Sequence, residues 1–284
     1  MSYQTIQRTS PTYPKRLLEL VDPPASLFIQ GDASLLNHTH CCAIVGSRRM
    51  TEYGKRVVAS IIPHLVHHGI PIVSGLAFGV DAYAHELTVA QGGSPIAVLG
   101  SGIKYITPVS NESLGRSVAR QGCLVSEYPD RTVAQKYYFP ARNRIIAGLS
   151  KALIVVEGTE TSGSLITADF MLQLGRDVFA VPGQIDAPLS AGPNLLLANG
   201  AHVLRSAQDI LLAFGIDSAQ GDQILSQTSD QEQLILSCLE ASPHSFDELC
   251  QACTLPPHRV NALLTELEMK RLISRSASGS IHRT

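Results

Sequence analysis

The feature that most constrains this chain is a series of seven short apolar runs, at residues 41–45, 71–73, 95–99, 123–125, 152–156, 178–181 and 201–204. Each is followed by a turn, usually with glycine, and most by an amphipathic stretch. The runs are rich in Val, Ile and Leu and lack polar alternation, as strands buried on both faces of a parallel sheet do. Between them, Val57, Val58, Ile61, Ile62 and Leu65 recur at helical spacing. Pro63 is expected to kink or shorten that helix. A second helix is expected over 164–174, with Ser164 as its cap and Gly175 as its stop. The alternation predicts an α/β fold, a doubly wound, mostly parallel Rossmann-like sheet over 41–214, with ligands at the carboxyl edge of its strands.

The flanks read differently. Residues 1–40 hold an amphipathic piece at 15–21, then Asp22-Pro23-Pro24 and an extended Leu27-Phe28-Ile29. They are expected as an N-terminal extension packed on the main domain. Residues 215–229 are polar, with few large apolar side chains, and read as a linker. In 230–284, Ile235, Cys238 and Leu239 suit one helix, and Ser245 can cap a short second one. Val260, Leu263, Leu264 and Leu267 suit a third, entered through Pro256 and Pro257. A hairpin around Gly279 completes a winged-helix pattern.

Composition sets the outer limits. The 284 residues are 44% hydrophobic and 16% charged, which excludes a disordered chain and suggests two domains. No apolar run approaches the ~18 residues of a membrane span, and the polar N-terminus lacks a secretory signal. Six cysteines are too sparse for a disulfide framework, so a cytoplasmic, reduced protein is expected. The net charge of −2 excludes uniform coating of nucleic acid. It leaves room for a local site. Residues 33–51 hold Arg48 and Arg49 without an acid, and residues 131–156 hold Arg131, Lys136, Arg142, Arg144 and Lys151 without an acid.

Inside the second window lies Lys136-Tyr137-Tyr138-Phe139-Pro140-Ala141-Arg142-Asn143-Arg144. Cations interleaved with aromatics suit single-stranded nucleic acid, the cations holding phosphates and the rings stacking on bases. The plainer reading is a solvated loop with a buried Phe139. Four polar turns follow expected strands: 46–49, 74–79, 100–102 and 161–164. Glycine there lets a phosphate approach a helix N-terminus, although tight strand–helix turns need glycine for structural reasons alone. The turn at 100–102 has Tyr105 where the third glycine of a dinucleotide fingerprint belongs, which disfavours a nicotinamide enzyme. No cofactor is expected.

The runs AIVGSRRMTEYG, IVSGLAFGVDAYAH, FPARNRIIAGLS, VVEGTETSGSLITA and GRDVFAVPG resemble the DNA-processing protein A family, DprA, also called Smf, over residues 13 to about 205. The resemblance implies an extended Rossmann-like domain, with a small C-terminal winged helix in many members. It also implies single-stranded DNA binding in natural transformation, protection of incoming strands and loading of a RecA-type recombinase by a homodimer without catalytic activity. The implied DNA site is Ser47, Arg48, Lys136, Phe139, Arg142, Asn143 and Arg144. Gly46, Gly102, Gly163 and Ser164 are further phosphate-contacting turn positions. The chain departs from the family pattern at Phe78 and at Thr161-Ser162, where relatives often carry a basic residue, and at Thr107-Pro108.

Other features carry weaker chemistry. Cys250-x-x-Cys253 lacks the second ligand pair of a zinc site, so no metal is expected. Asp81 and His85 stand at i, i+4, either as an acid–base pair or as ordinary helix-surface neighbours. Glu157 ends a strand at the ligand edge, where capping the following turn is its plain role. An alternative function is a nucleotide-processing enzyme resembling phosphoribohydrolases, but residues 157–164 lack their double glycine and following Glu. Another is a protein-interaction scaffold. Residues 230–284 carry seven acids and five bases, and the third helix offers only Arg259 as a cation, so this unit is not expected to read duplex DNA.

Overall fold

The structure, a computed structural model, describes residues 3–216, 230–241, 243–253, 255–269, 272–276 and 280–283. The chain divides near residue 218 into two compact units. Most of the expected linker, from residue 217 on, lies outside the described residues, as do Gly279 and Lys270.

The first unit is built on a nine-stranded sheet. Its strands are β1 (Gln4–Gln7), β2 (Ser26–Gly31), β3 (Cys42–Val45), β4 (Ile72–Ser74), β5 (Pro95–Val98), β6 (Cys123–Ser126), β7 (Ala152–Val155), β8 (Asp177–Ala180) and β9 (His202–Val203). The spatial order is β1-β2-β6-β5-β4-β3-β7-β8-β9. β3 to β9 pair in parallel, whereas β1 and β2 join antiparallel onto β6. All seven apolar runs are strands, and β3, β4, β5, β6 and β7 are buried at every position. Residues 1–40 supply two of the strands, so they extend the sheet itself.

Seven α-helices cover the sheet: α1 (Glu52–His67), α2 (Val80–Ala90), α3 (Glu112–Gln121), α4 (Tyr138–Leu149), α5 (Gly163–Gln173), α6 (Ala191–Ala198) and α7 (Ala207–Ala213). One face buries Ile145, Ile146, Leu149, Ala168, Met171 and Leu196 of α4 to α6 against Ala43, Val45, Val73 and Val155. The other face buries α1, α2 and α7 against Ile44, Ile72 and Ile154, and α3 against Ala97 and Leu124. Alternate strand residues thus feed opposite layers, which is why the runs show no polar alternation. Pro63 does not end α1, which continues to His67. The cap of α5 also differs from expectation: the helix starts at Gly163 with Ser162 at its N-cap, and Ser164 lies in the first turn, buried.

Sheet order reverses between β3, which pairs with β4 on one side, and β7 on the other. Loops leaving two neighbouring parallel strands for opposite faces diverge, and a crevice opens between them. Here those loops are the turns after β3 and β7.

The second unit contains α8 (Asp230–Ala241), α9 (Phe246–Cys253), α10 (Pro257–Met269) and the antiparallel pair β10 (Ile273–Arg275) and β11 (Ile281–Arg283). Val260, Leu263, Leu264 and Leu267 are fully buried, so the expected apolar stripe is the core face of α10. Ser245 and Glu248 form reciprocal side-chain to backbone hydrogen bonds at the start of α9. Cys253 is buried with its Sγ 3.8 Å from that of Cys238. No group of three potential metal ligands occurs among the described residues.

Candidate nucleic-acid interface

The crevice at the switch point is a cleft of about 530 Å³. Its lining includes Gly46, Ser47 and Arg48 from the turn after β3, and Gly158, Thr159, Ser162, Gly163 and Ser164 from the turn after β7. Lys136, Phe139, Arg142 and Asn143 reach it from the start of α4 and the loop before it. Two windows about 90 residues apart in sequence therefore meet at one edge.

Each wall has a local cause. Thr51 caps α1 by accepting from the Gly54 N–H at 3.2 Å. The Glu157 carboxylate accepts from the Thr51 N–H at 2.9 Å and from its hydroxyl. Glu157 thus joins the turns after β3 and β7 and does not cap its own turn. Asn143 Nδ2 donates to the Gly163 carbonyl at 3.1 Å, tying α4 to the N-terminus of α5. A Cβ on Gly163 would meet no atom within 4 Å, so the space in front of that helix end is open.

Charge distinguishes the cleft. Arg48 and Lys136 are exposed and make no salt bridge among the described residues. The Arg48 guanidinium lies 5.8 Å from the centroid of the half-buried Phe139 ring. Arg142 is only 4% exposed, at the cleft floor. Burial lowers its pKa to about 10, opposed by the nearby Asp81 and assisted by Arg48, and it remains a cation at neutral pH. Asp81 is buried too, and burial raises its pKa, against Arg142 and the Gly75 N–H, which donates to it at 3.1 Å. His85 is fully buried, and burial lowers its pKa to about 4. Asp81 and His85 therefore belong to the interior and not to a helix surface.

Three expectations require correction. Arg144 is absent from the cleft lining. Its guanidinium makes paired bonds of 2.7 and 2.6 Å to Glu127 and a further one to the Asp22 carbonyl. Gly102 also lies elsewhere: its N–H donates to the Thr132 carbonyl at 2.8 Å, so it has no free amide for a phosphate. Of the four polar turns, two are plugged from within. A Cβ on Gly75 would lie 2.2 Å from Arg142 Nη1, and one on Gly100 would lie 2.8 Å from the Phe139 ring. These glycines admit α4, not a ligand. Leu189 and Ile146 also line the cleft and carried no signal in the sequence, because only the fold brings them there.

Comparison with known proteins identifies the family and the fold. Residues 4–215 match the DNA recombination-mediator protein A family, and residues 218–279 match the DprA winged helix domain. The chain is 45% identical over 206 residues to the DNA processing protein DprA of Bacillus subtilis, covering 72% of this chain and 69% of that one. It is 37% identical to protein Smf of Escherichia coli over 99% of this chain and 77% of that one. The crystal structure of DprA from Streptococcus pneumoniae is similar with a TM-score of 0.71 and 39% identity, over 75% of this chain and 74% of that one. The DprA of Helicobacter pylori, described with a unique single-stranded DNA binding mode, gives 0.68 and 30% identity over 75% of this chain and 95% of that one. The chain belongs to the DNA recombination-mediator protein A family, with that family's winged-helix domain at its C-terminal end.

Proposed function

We propose that this protein binds single-stranded DNA in the switch-point cleft. The observation that carries the reading is the pairing of two exposed cations without carboxylate partners among the described residues, Arg48 and Lys136, with the half-buried ring of Phe139. Backbone phosphates bind Arg48, Lys136 and the open N-terminus of α5 at Gly163 and Ser164, with Ser47 and Gly46 beside them. A base packs on Phe139. Asn143 sets the width of the cleft through its bond to Gly163. Recognition through backbone charge and one stacking ring is independent of sequence.

Within the cell this activity serves to protect single strands and to pass them to a RecA-type recombinase during natural transformation, by a cytoplasmic homodimer. Membership of the family supports that role, and no helix among the described residues is long and apolar enough to cross a membrane. A binding role without catalysis is favoured over nucleotide hydrolysis because Glu157, the carboxylate such an enzyme would use in this turn, is committed to Thr51.

Fluorescence anisotropy with a labelled oligothymidine across a salt series tests the reading. Affinity should fall with salt, and Lys136→Ala should make the slope of log K against log salt shallower by about 0.7, the value of one phosphate contact on a single strand. Salt-independent binding, or none, would refute it. Hydrolysis of a nucleoside monophosphate would favour the enzyme reading instead.

A further inference from the structure

Arg142 lines the cleft floor and belongs to the basic run, so a direct phosphate contact is its obvious role. Its surroundings argue otherwise. Nη1 donates to the Gly75 carbonyl at 2.7 Å and to the Val98 carbonyl, the chain ends of β4 and β5. Nε is shielded from solvent and has no hydrogen-bond partner among the described residues, so a ligand in the cleft cannot reach it while α4 stays in place. The guanidinium occupies the space where a Gly75 side chain would stand, within 2.6 Å of the ideal Cβ position at three of its atoms. The N–H of the same residue is donated to Asp81 on α2. One residue, through the peptide units on its two sides, thus joins a helix on one face of the sheet to a helix on the other, with Arg142 and Asp81 buried around it.

Phe139 stands three residues before Arg142, on the same side of α4. It rests on Gly100 just as Arg142 rests on Gly75. The two glycine turns form neighbouring sockets at the ends of β5 and β4, and α4 is plugged into both. Lys136 lies three residues before the first anchor and Asn143 directly after the second.

We infer that Arg142 is a positioning residue: seated on Gly75, whose N–H is held by the buried Asp81, it sets α4 at the height that brings Phe139 and Lys136 into the cleft, and it contacts no phosphate itself. For its affinity readout the inference rests on the single-stranded DNA reading. Its structural readout does not.

The experiment uses the full chain with Arg142→Gln and, separately, Gly75→Ala. The second keeps the arginine but fills its socket. Each should weaken oligothymidine binding by about tenfold, from the loss of charge-assisted bonds that hold the helix. Each should leave the salt slope at the wild-type value. The double variant should be no weaker than the worse single one, because both break the same contact. Hydrogen exchange of the α4 amides should accelerate in both variants while α1 keeps its wild-type rates. A general loss of stability would instead raise exchange in both helices.

A salt slope shallower by about 0.7 in Arg142→Gln would make Arg142 a phosphate ligand and overturn the inference. Unchanged α4 exchange in both variants would also overturn it. If the wild-type chain binds no oligonucleotide, the proposed function fails, and α4 exchange alone still decides the role of Arg142.

Discussion

Two hollows of similar size open on the first unit, and they differ in how their charges are held. The switch-point cleft measures about 530 Å³, and the hollow along β8 and β9 about 590 Å³. The second is lined by Asp177, Phe179, His202, Val203, Arg205, Asp209, Leu212 and Ala213. Its cation Arg205 is paired with Asp209 at 2.5 Å, and Asp209 also completes the capping box of α7. Its histidine, His202, lies 3.6 Å from Asp177. In the cleft, by contrast, Arg48 and Lys136 face solvent beside an aromatic ring, and the one carboxylate in the lining, Asp81, is buried beneath them with Arg142. The two hollows thus differ less in volume than in charge: the cleft sets cations without an ion-pair partner among the described residues next to an open helix end, an arrangement that attracts a polyanion.

Reversing the charge should break the contrast most strongly. Arg48→Glu with Lys136→Glu is expected to weaken oligothymidine binding about thousandfold, or ~4 kcal/mol, in low-salt anisotropy titrations. A change under tenfold would place the site elsewhere.

The next effect concerns the interior beneath the cleft, where His85 is fully buried while His202 in the hollow is exposed. In the unfolded chain His85 takes a proton near its ordinary value of 6.5, and in the folded protein only near about 4. The unfolded state therefore binds protons first as pH falls. Stability present above pH 6.5 should be lost progressively toward pH 4, by at most about 3 kcal/mol. Urea denaturation across that range would show it, and His85→Leu should flatten this part of the profile. An unaltered profile in the variant would refute the assignment.

Phe139→Ala should cost ~1–3 kcal/mol of binding, measured at fixed salt, and leave the salt slope unchanged. A change in slope would mean that the ring acts mainly by placing Arg48. The smallest effect is expected in the hollow. Arg205→Ala should leave oligonucleotide affinity and melting temperature close to wild type, since the arginine side chain is exposed and Asp209 keeps its backbone hydrogen bonds at the start of α7. A clear loss of affinity would mean that the second hollow also holds DNA.

Much of this organisation was legible in the sequence. The seven apolar runs identified every parallel strand, because a strand buried on both faces needs an unbroken apolar segment and little else. The stripe from Val260 to Leu267 marked the core face of α10 for the same kind of reason. β1 was not legible: its residues Gln4–Gln7 alternate, with only Ile6 buried. Ser26–Gly31 was seen only as an extended piece, because antiparallel pairing with β6 is a long-range choice. In the site, Arg48 and Lys136 could be singled out because both lie in stretches free of acids. Arg144 looked equivalent, yet its partner Glu127 stands 17 residues away in sequence and is adjacent only in the fold. Window charge counts cannot register such a neighbour.

The sequence by itself determined the layers, the seven parallel strands and the two clusters of cations, since these follow from apolar period, turn residues and local charge. Tertiary structure alone decided which glycines leave open space and which receive a helix. Gly75 and Gly163 both sit in polar turns after strands, but Arg142 fills the first and nothing fills the second. The physical reason is that a glycine records only that space is needed. What occupies the space depends on a helix that begins more than 60 residues later for Gly75 and ends before Gly163.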